Sequence, residues 1–309
     1  MDGLILVDKE KNLSSHDIIS KLRNIFHIKK IGHFGTLDPM ATGLMLIALE
    51  RSTKLSPFLS KLDKVYFASI QLGYSTDTYD VTGNPSSQIK HNYPSEENLL
   101  GALSKMEGDL LQVPPPYSAK KYKGKPLYSF ARKNIEVNLP PSNIFIHYID
   151  LLSYKPPMIE LKIKCSSGTY IRSIAHDLGQ SLGCGAHLFD LKRTEVGSYN
   201  LSNSFSLEQI KNLFHENKLT KFIIPLEQLL PQFPKLILNE TGATMAKNGN
   251  FIFPENILKI TSSEILINSN SKDKENIFRL FSPEGKLMAL AKRCEKGKGL
   301  HPFLVIDIT

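Results

Sequence analysis

The chain has 309 residues, 41% of them hydrophobic, and a formal net charge of +8, so it can bury one large domain plus a small one, or two of middling size. No stretch approaches the roughly 18 apolar residues of a membrane span, and no basic region precedes the short apolar run near the N-terminus. Cys165, Cys184 and Cys294 are odd in number and lack the paired spacing of a zinc site, which predicts a reducing, cytoplasmic location and no metal.

Leu4 to Val7 reads as a first buried strand. Ser14 opens a helical pattern with Ile18, Leu22 and Ile25 on one stripe; Asp17 completes the cap, and the helix is predicted to end near His27. After a glycine-rich segment, Leu44 to Leu49 is uniformly apolar, as in a strand buried on both faces. Val65 to Leu72 is a further strand, and the polar stretch Ser75 to Ser95 is loop or hairpin. Ser95 is placed to cap a helix carrying Leu99, Leu103 and Met106, while Val113-Pro114-Pro115-Pro116 breaks regular structure.

Ile159 to Cys165 alternates apolar and charged residues as a half-buried strand does. A Ser166-Ser167-Gly168 turn follows, and Ile171, Ile174, Ala175, Leu178 and Leu182 then recur at helical spacing up to Gly183. Thr169 to Arg172 therefore stands at a strand-to-helix junction, a common seat of functional groups. Composition shifts around Leu230-Pro231-Gln232-Phe233-Pro234, which divides the chain into 1–230 and 231–309. Beyond it, Ile257 to Ile260, Ile265 to Ile267, Phe278 to Phe281, Leu287 to Ala291 and Phe303 to Ile308 are short apolar runs that predict a small all-β barrel, with Asn268 to Asn276 a polar loop. No repeat of fixed period is present.

The chemistry concentrates in Gly32-His33-Phe34-Gly35-Thr36-Leu37-Asp38-Pro39-Met40-Ala41-Thr42-Gly43. Its glycines permit conformations or close approaches that side chains forbid, and Pro39 pushes Asp38 out of helical geometry, so one carboxylate is held on a stiff loop. Taken alone, Asp38-Pro39 is more often a turn whose carboxylate merely accepts backbone hydrogen bonds. Arg172 is electrostatically odd at the start of a helix, where the dipole disfavours cations. An acidic partner would resolve this, and Asp38 is the candidate.

This segment resembles the signature Gly-His-x-Gly-x-Leu-Asp-Pro-x-Ala-x-Gly of TruB-type pseudouridine synthases. The resemblance continues through Asp63-Lys64-Val65-Tyr66, Thr76-Asp77-Thr78-Tyr79-Asp80, Pro115-Pro116-Tyr117-Ser118-Ala119-Lys120-Lys121, Gly168-Thr169-Tyr170-Ile171-Arg172 and Gly183-Cys184-Gly185-Ala186-His187, and covers roughly Leu4 to Leu230. It implies an α+β catalytic domain over 1–230, with a mixed, mainly antiparallel central sheet flanked by helices, and a PUA-like RNA-binding barrel over 231–309. It implies isomerisation of the uridine at position 55 in the TΨC loop of tRNA, without cofactor or metal.

Carried over by motif, Asp38 is the nucleophile, Arg172 its cationic partner, and Tyr66 packs on the target base and takes part in proton transfer. Tyr170 and Leu191 line the base pocket, and His33 fills the space left by the flipped nucleotide. Lys9 is placed among the RNA-binding residues together with Lys120, Lys121, Lys123 and Lys125. Those four lysines, with Arg132 and Lys133, form a run free of acids between residues 118 and 133 and interleaved with Tyr122, Tyr128 and Phe130; they suit phosphates and stacked bases. Lys286, Lys292, Arg293, Lys296 and Lys298 form a second cluster in the expected barrel.

Two departures stand out. Asp8-Lys9-Glu10-Lys11-Asn12-Leu13-Ser14-Ser15 lacks the proline and glycine usual after Asp-Lys, with Asn12 able to tolerate left-handed geometry, and Glu50 stands where glycine is usual. The alternatives are the catalytic subunit of a guide-RNA-dependent synthase, which typically carries an N-terminal extension where this chain enters its first strand by Leu4, and a non-catalytic tRNA-binding folding factor. The leading expectation is a monomer with no obligate protein partner.

Overall fold

The computed structural model describes residues 1–118, 120–131, 133, 135, 137, 140–261, 277–294 and 299–306. The elements are β1 (Gly3–Lys9), α1 (Ser15–Phe26), β2 (Ile31–His33), β3 (Thr42–Leu49), α2 (Ser56–Leu59), β4 (Lys64–Leu72), α3 (Glu96–Ser104), β5 (Gly108–Gln112), β6 (Lys121–Tyr122), β7 (Lys125–Pro126), α4 (Tyr128–Ala131), β8 (Ser142–Lys155), β9 (Met158–Cys165), α5 (Ile171–Ser181), β10 (Ala186–Val196), β11 (Tyr199–Asn200), α6 (Leu207–His215), β12 (Ile223–Pro225), β13 (Lys235–Leu238), α7 (Glu240–Lys247), β14 (Ile257–Thr261), β15 (Ile277–Phe281), β16 (Leu287–Arg293) and β17 (Leu300–Val305).

Ten strands form one sheet in the order β12-β1-β3-β10-β4-β9-β8-β5, with β2 added to β3 and β11 to β10. Its ladders are antiparallel except where β10 meets β3, at Lys192 opposite Thr42 and Arg193 opposite Gly43. One face packs on α1, α3 and α5, whose apolar stripes join Val7, Ile47, Ala68, Ile70, Leu161 and Ile163 in a single core. The helix ends follow local chemistry. Ser14 and Asp17 form a reciprocal capping box, and His27 closes α1 in the left-handed conformation. Ser95 caps α3, which stops at Ser104, short of Met106.

The opposite face of β1 and β3 carries Leu4, Leu6, Leu44 and Leu46, which pack with Phe34, Leu55 and Leu59 against Ile277, Phe281, Leu287, Leu290 and Ile306 from the C-terminal part. Burial on both faces explains why these two strands read as continuous apolar runs. The C-terminal part forms a second sheet in the order β14-β13-β15-β16-β17, with β13 parallel to β15. Among the described residues this sheet is open, not a closed barrel. Nor is the region all-β: Asn239 accepts from the Gly242 N–H and caps α7, which buries Ala246 in the core of this sheet. The run Ile265 to Ile267 and the loop Asn268 to Asn276 lie outside the described residues.

Asn12 (φ 67°) and Glu50 (φ 48°) both adopt left-handed backbone, so the two unusual positions keep the turn geometry that a glycine would take without strain.

Candidate active site

Asp38 is gripped from both sides through its neighbours. The Ser15 hydroxyl accepts from the Leu37 N–H at 2.9 Å and donates to the Leu37 carbonyl at 3.0 Å. On the other side the Pro39 carbonyl accepts from the Asn12 N–H at 2.8 Å and from Lys9 Nζ at 3.3 Å. Lys9 is fully buried and also donates to the carbonyls of Leu13 and Glu10, at 2.7 and 3.0 Å. Its assignment to RNA contact therefore does not fit: the ammonium is spent on three backbone acceptors and braces the Asp38 loop from within. Burial draws its pKa down to about 8, against the opposing pull of Asp38.

Two glycines let this loop reach the sheet. A Cβ on Gly43 (φ 101°) would sit 2.3 Å from the Arg193 carbonyl, in the parallel β3–β10 contact. One on Gly35 (φ 107°) would press on the Arg193 guanidinium at 3.2 Å. No such demand falls on Gly32, whose Cβ would meet only an ordinary 3.7 Å contact.

Arg172 enters from the first turn of α5, 5% exposed, and meets Asp38 through two contacts, Nε to Oδ2 at 2.9 Å and Nη2 to Oδ1 at 3.1 Å. Nη2 also donates to the Tyr117 carbonyl at 2.9 Å, and Nη1 donates to the Thr78 carbonyl at 3.2 Å. A second carboxylate, Asp80, stands 3.5 Å from Nη1 and is itself fixed by Thr78 and Thr82. Its loop is pinned to α5 by the Tyr79 ring, stacked on His176 at 3.8 Å. Two carboxylates thus offset the unfavourable siting of a cation at a helix N-terminus.

The Asp38 carboxyl is a third exposed, at the floor of a cleft of about 620 Å³ that is also lined by Tyr66, Lys120, Tyr170, Arg172, Leu191 and Arg193. Burial raises its pKa above the usual aspartate value and Asp80 adds to the rise, while Arg172 and Lys9 oppose it. Tyr66 is buried, and burial raises its pKa against the pull of the nearby Arg193 guanidinium, so the phenol stays protonated.

Five of the expected residues, Asp38, Tyr66, Arg172, Tyr170 and Leu191, therefore converge on one cleft, and Lys120 joins them at its wall. His33 does not line the cleft; it is half-buried on β2, with Nδ1 unpartnered among the described residues and its pKa lowered by burial. Lys123 and Lys125 are exposed on the β6–β7 hairpin, where Lys123 lies 5.5 Å over the Tyr122 ring. Lys121 lies on β6, its side chain outside the described residues, as is Arg132. The second basic cluster is split: Lys286 precedes β16 and Lys292 and Arg293 end it, roughly 20 Å apart at strand rise, and Lys296 and Lys298 lie outside the described residues.

Arg193 went unread in the sequence. It is buried beneath the cleft, donating to the carbonyls of Leu44 at 2.7 Å and Gly35 at 3.0 Å. Strand alternation carried the signal, since Leu191 and Arg193 share one face of β10. Lys64 was likewise missed as a cleft residue; burial and Arg193 lower its pKa to about 8. Among the described residues no group of three or more His, Cys, Asp or Glu side chains could hold a metal ion, and no helix is long and apolar enough to cross a membrane.

Residues 23–171 match the family profile described as TruB family pseudouridylate synthase, N terminal domain, and residues 172–231 that of the tRNA pseudouridylate synthase B C-terminal domain. A tRNA pseudouridine synthase B of Solibacter usitatus is 43% identical over 81% of this chain and 85% of its own length. One from Clostridium tetani is 41% identical over 81% and 85%. Among solved structures, a Cbf5-Nop10-Gar1 complex matches with TM-score 0.73 at 23% identity, and an H/ACA RNP bound to a substrate RNA containing 2′-deoxyuridine with TM-score 0.71 at 21%. Each match spans 99% of this chain and 85% of the other, and at that identity the likeness shows a shared fold.

Proposed function

The chain belongs to the TruB family of pseudouridylate synthases, and on that premise we propose that it isomerises the TΨC-loop uridine of tRNA with Asp38 as the reacting carboxylate. The observation that carries this reading is the Asp38–Arg172 pair, oriented through two contacts at the floor of the cleft. A uridine in a folded loop hides its glycosidic bond, so the nucleotide is extruded into the cleft, where Tyr66 packs on the base and Tyr170 and Leu191 form the walls. The ionised Asp38 acts at the ribose, by attack on C1′ or by removing the C2′ proton. On either route the N1–C1′ bond breaks and uracil turns; C5 then bonds to C1′, displacing Asp38 from its ester or adding to the glycal as Asp38 returns the proton to C2′, and the C5 proton is lost as N1 gains one. The change is redox-neutral, so it calls for no cofactor.

The exposed lysines of the β6–β7 hairpin, with Lys120 at the cleft wall, engage phosphates of the T-arm. The C-terminal sheet is a PUA-like RNA-binding module occupying 231–309, and the protein acts as a cytoplasmic monomer. The relatives named tRNA pseudouridine synthase B favour this over a guide-dependent role.

The test incubates the purified protein with unmodified tRNA transcript and EDTA and maps pseudouridine by its chemical adducts, with wild type and Asp38→Asn side by side. Pseudouridine in the T loop with wild type alone is expected. Tight tRNA binding without isomerisation by either protein would replace the enzyme with a tRNA-binding folding factor.

A further inference from the structure

Gln112 ends β5, is 3% exposed, and does not line the cleft. Its carboxamide pairs with the backbone of Tyr170: the Tyr170 N–H donates to Oε1 at 2.8 Å, and Nε2 donates to the Tyr170 carbonyl at 3.0 Å. A side chain thereby supplies the two hydrogen bonds of a strand rung where the chain has left β9 and not yet entered α5. Tyr170 is the N-cap of α5, extended at φ −99°, ψ 110°, and has no side-chain cap of its own. Its carbonyl also accepts the first helical bond, from Ile174 at 3.2 Å, so both of its acceptor positions are used.

Two further bonds tie the same stretches together. Ser173 Oγ donates to the Val113 carbonyl at 2.9 Å, and Arg172 Nη2 donates to the Tyr117 carbonyl at 2.9 Å. Between these anchors runs Val113-Pro114-Pro115-Pro116, whose prolines fix the backbone and offer no N–H of their own.

We propose that Gln112 is a positioning residue for pseudouridine formation: by clamping both backbone polar groups of Tyr170 it sets the base-pocket wall and the angle from which Arg172 reaches Asp38. The proposal rests on the isomerase reading above. Gln112 touches no substrate; it acts through Tyr170 and the first turn of α5. Without its amide, the Tyr170 N–H loses this partner, its carbonyl keeps only the bond from Ile174, and the start of the helix can rotate. That misaligns the carboxylate, while the surfaces that meet phosphates are untouched.

The experiment measures single-turnover pseudouridine formation and tRNA affinity for wild type, Gln112→Met and Gln112→Glu on one transcript. Gln112→Met should slow the chemical step roughly ten- to hundredfold, the effect of one to two tenfold losses in transition-state alignment, with affinity changed by less than about twofold. Gln112→Glu separates positioning from packing. Its carboxylate accepts from the Tyr170 N–H but repels the carbonyl, whereas the protonated acid restores the donor. The ratio of its rate to that of wild type should therefore rise as pH falls from about 8 to 6, the opposite of what an upward shift of Asp38 in the variant would do to it. If Gln112→Met does not fold, this ratio carries the test. Active wild type with Gln112→Met as fast, or a Gln112→Glu ratio flat in pH, would overturn the clamp. Wild type inactive on the transcript would overturn the isomerase reading and the clamp with it.

Discussion

In the proposed reaction Asp38 must be ionised, yet it lies where burial and Asp80 both favour its protonated form and only Arg172 and Lys9 oppose them. The rate then depends on the fraction ionised, which falls as pH drops through a pKa displaced upward from 3.8. The acid limb of the single-turnover rate should accordingly lie at higher pH than for a free aspartate, and bound RNA, by covering the exposed third of the carboxyl, should move it further up. Arg172→Met removes the main opposing charge, so its limb should shift upward again and its turnover fall by about a hundredfold or more, with tRNA affinity little changed. A limb at the free-aspartate position in both proteins would mean that Asp38 is not the titrating group. At this scale the sequence was most legible where chemistry is crowded: the loop around Asp38 and the misplaced charge of Arg172 pointed at each other. Lys9 and Arg193 misled or escaped because both are cations buried by tertiary contacts, Lys9 among three carbonyls and Arg193 under the cleft. Nothing in the immediate neighbours of Lys9 announces that, and for Arg193 only its alternation with Leu191 on β10 does.

Among the elements, turns and caps were readable because they depend on adjacent residues, as with the Ser14–Asp17 box and the Ser95 cap. Strands β8 and β10 were not singled out. Each is bulged, β10 between Leu188 and Asp190 and again between Arg193 and Glu195, which interrupts the alternation that marks a strand. Helix α7 escaped because its eight residues include Gly242 and two threonines, poor helix formers held by the Asn239 cap and by packing on the second sheet. Glu50 follows β3 at φ 48°, a left-handed conformation that costs a residue with a Cβ roughly 1 kcal/mol. Glu50→Gly should therefore raise stability by about 0.5–1 kcal/mol, less the flexibility gained by the unfolded chain. Urea denaturation at unchanged m-value would show it, and a destabilised variant would mean that Glu50 makes contacts worth more than its backbone strain.

Over the whole molecule, charge and apolar surface are sorted to different places. The net charge of +8 was informative about the class of partner but not about where it binds. The contacts proposed for it are Lys120 in the cleft lining and the exposed Lys123 and Lys125 on the β6–β7 hairpin. Replacing Lys123 or Lys125 by alanine should weaken tRNA binding about equally for all transcripts and lower the slope of log affinity against log salt by about 1 each. An unchanged slope would take the hairpin off the RNA. The two parts of the chain are joined by more than a linker: the apolar faces of β1 and β3 are covered by β15, β16 and Ile306, and Lys54 donates to the carbonyls of Val305 and Ile306.

The position of β1 in the sheet also sets a schedule. It leaves the ribosome long before its outer neighbour β12, with Gly3 opposite Pro225, and one of its faces waits for residues from 277 onward. At roughly 5–20 residues per second, a strand of almost unbroken apolar sequence is left half-paired for about 10–45 s of synthesis. During that interval it is the part of the nascent protein with most need of a chaperone.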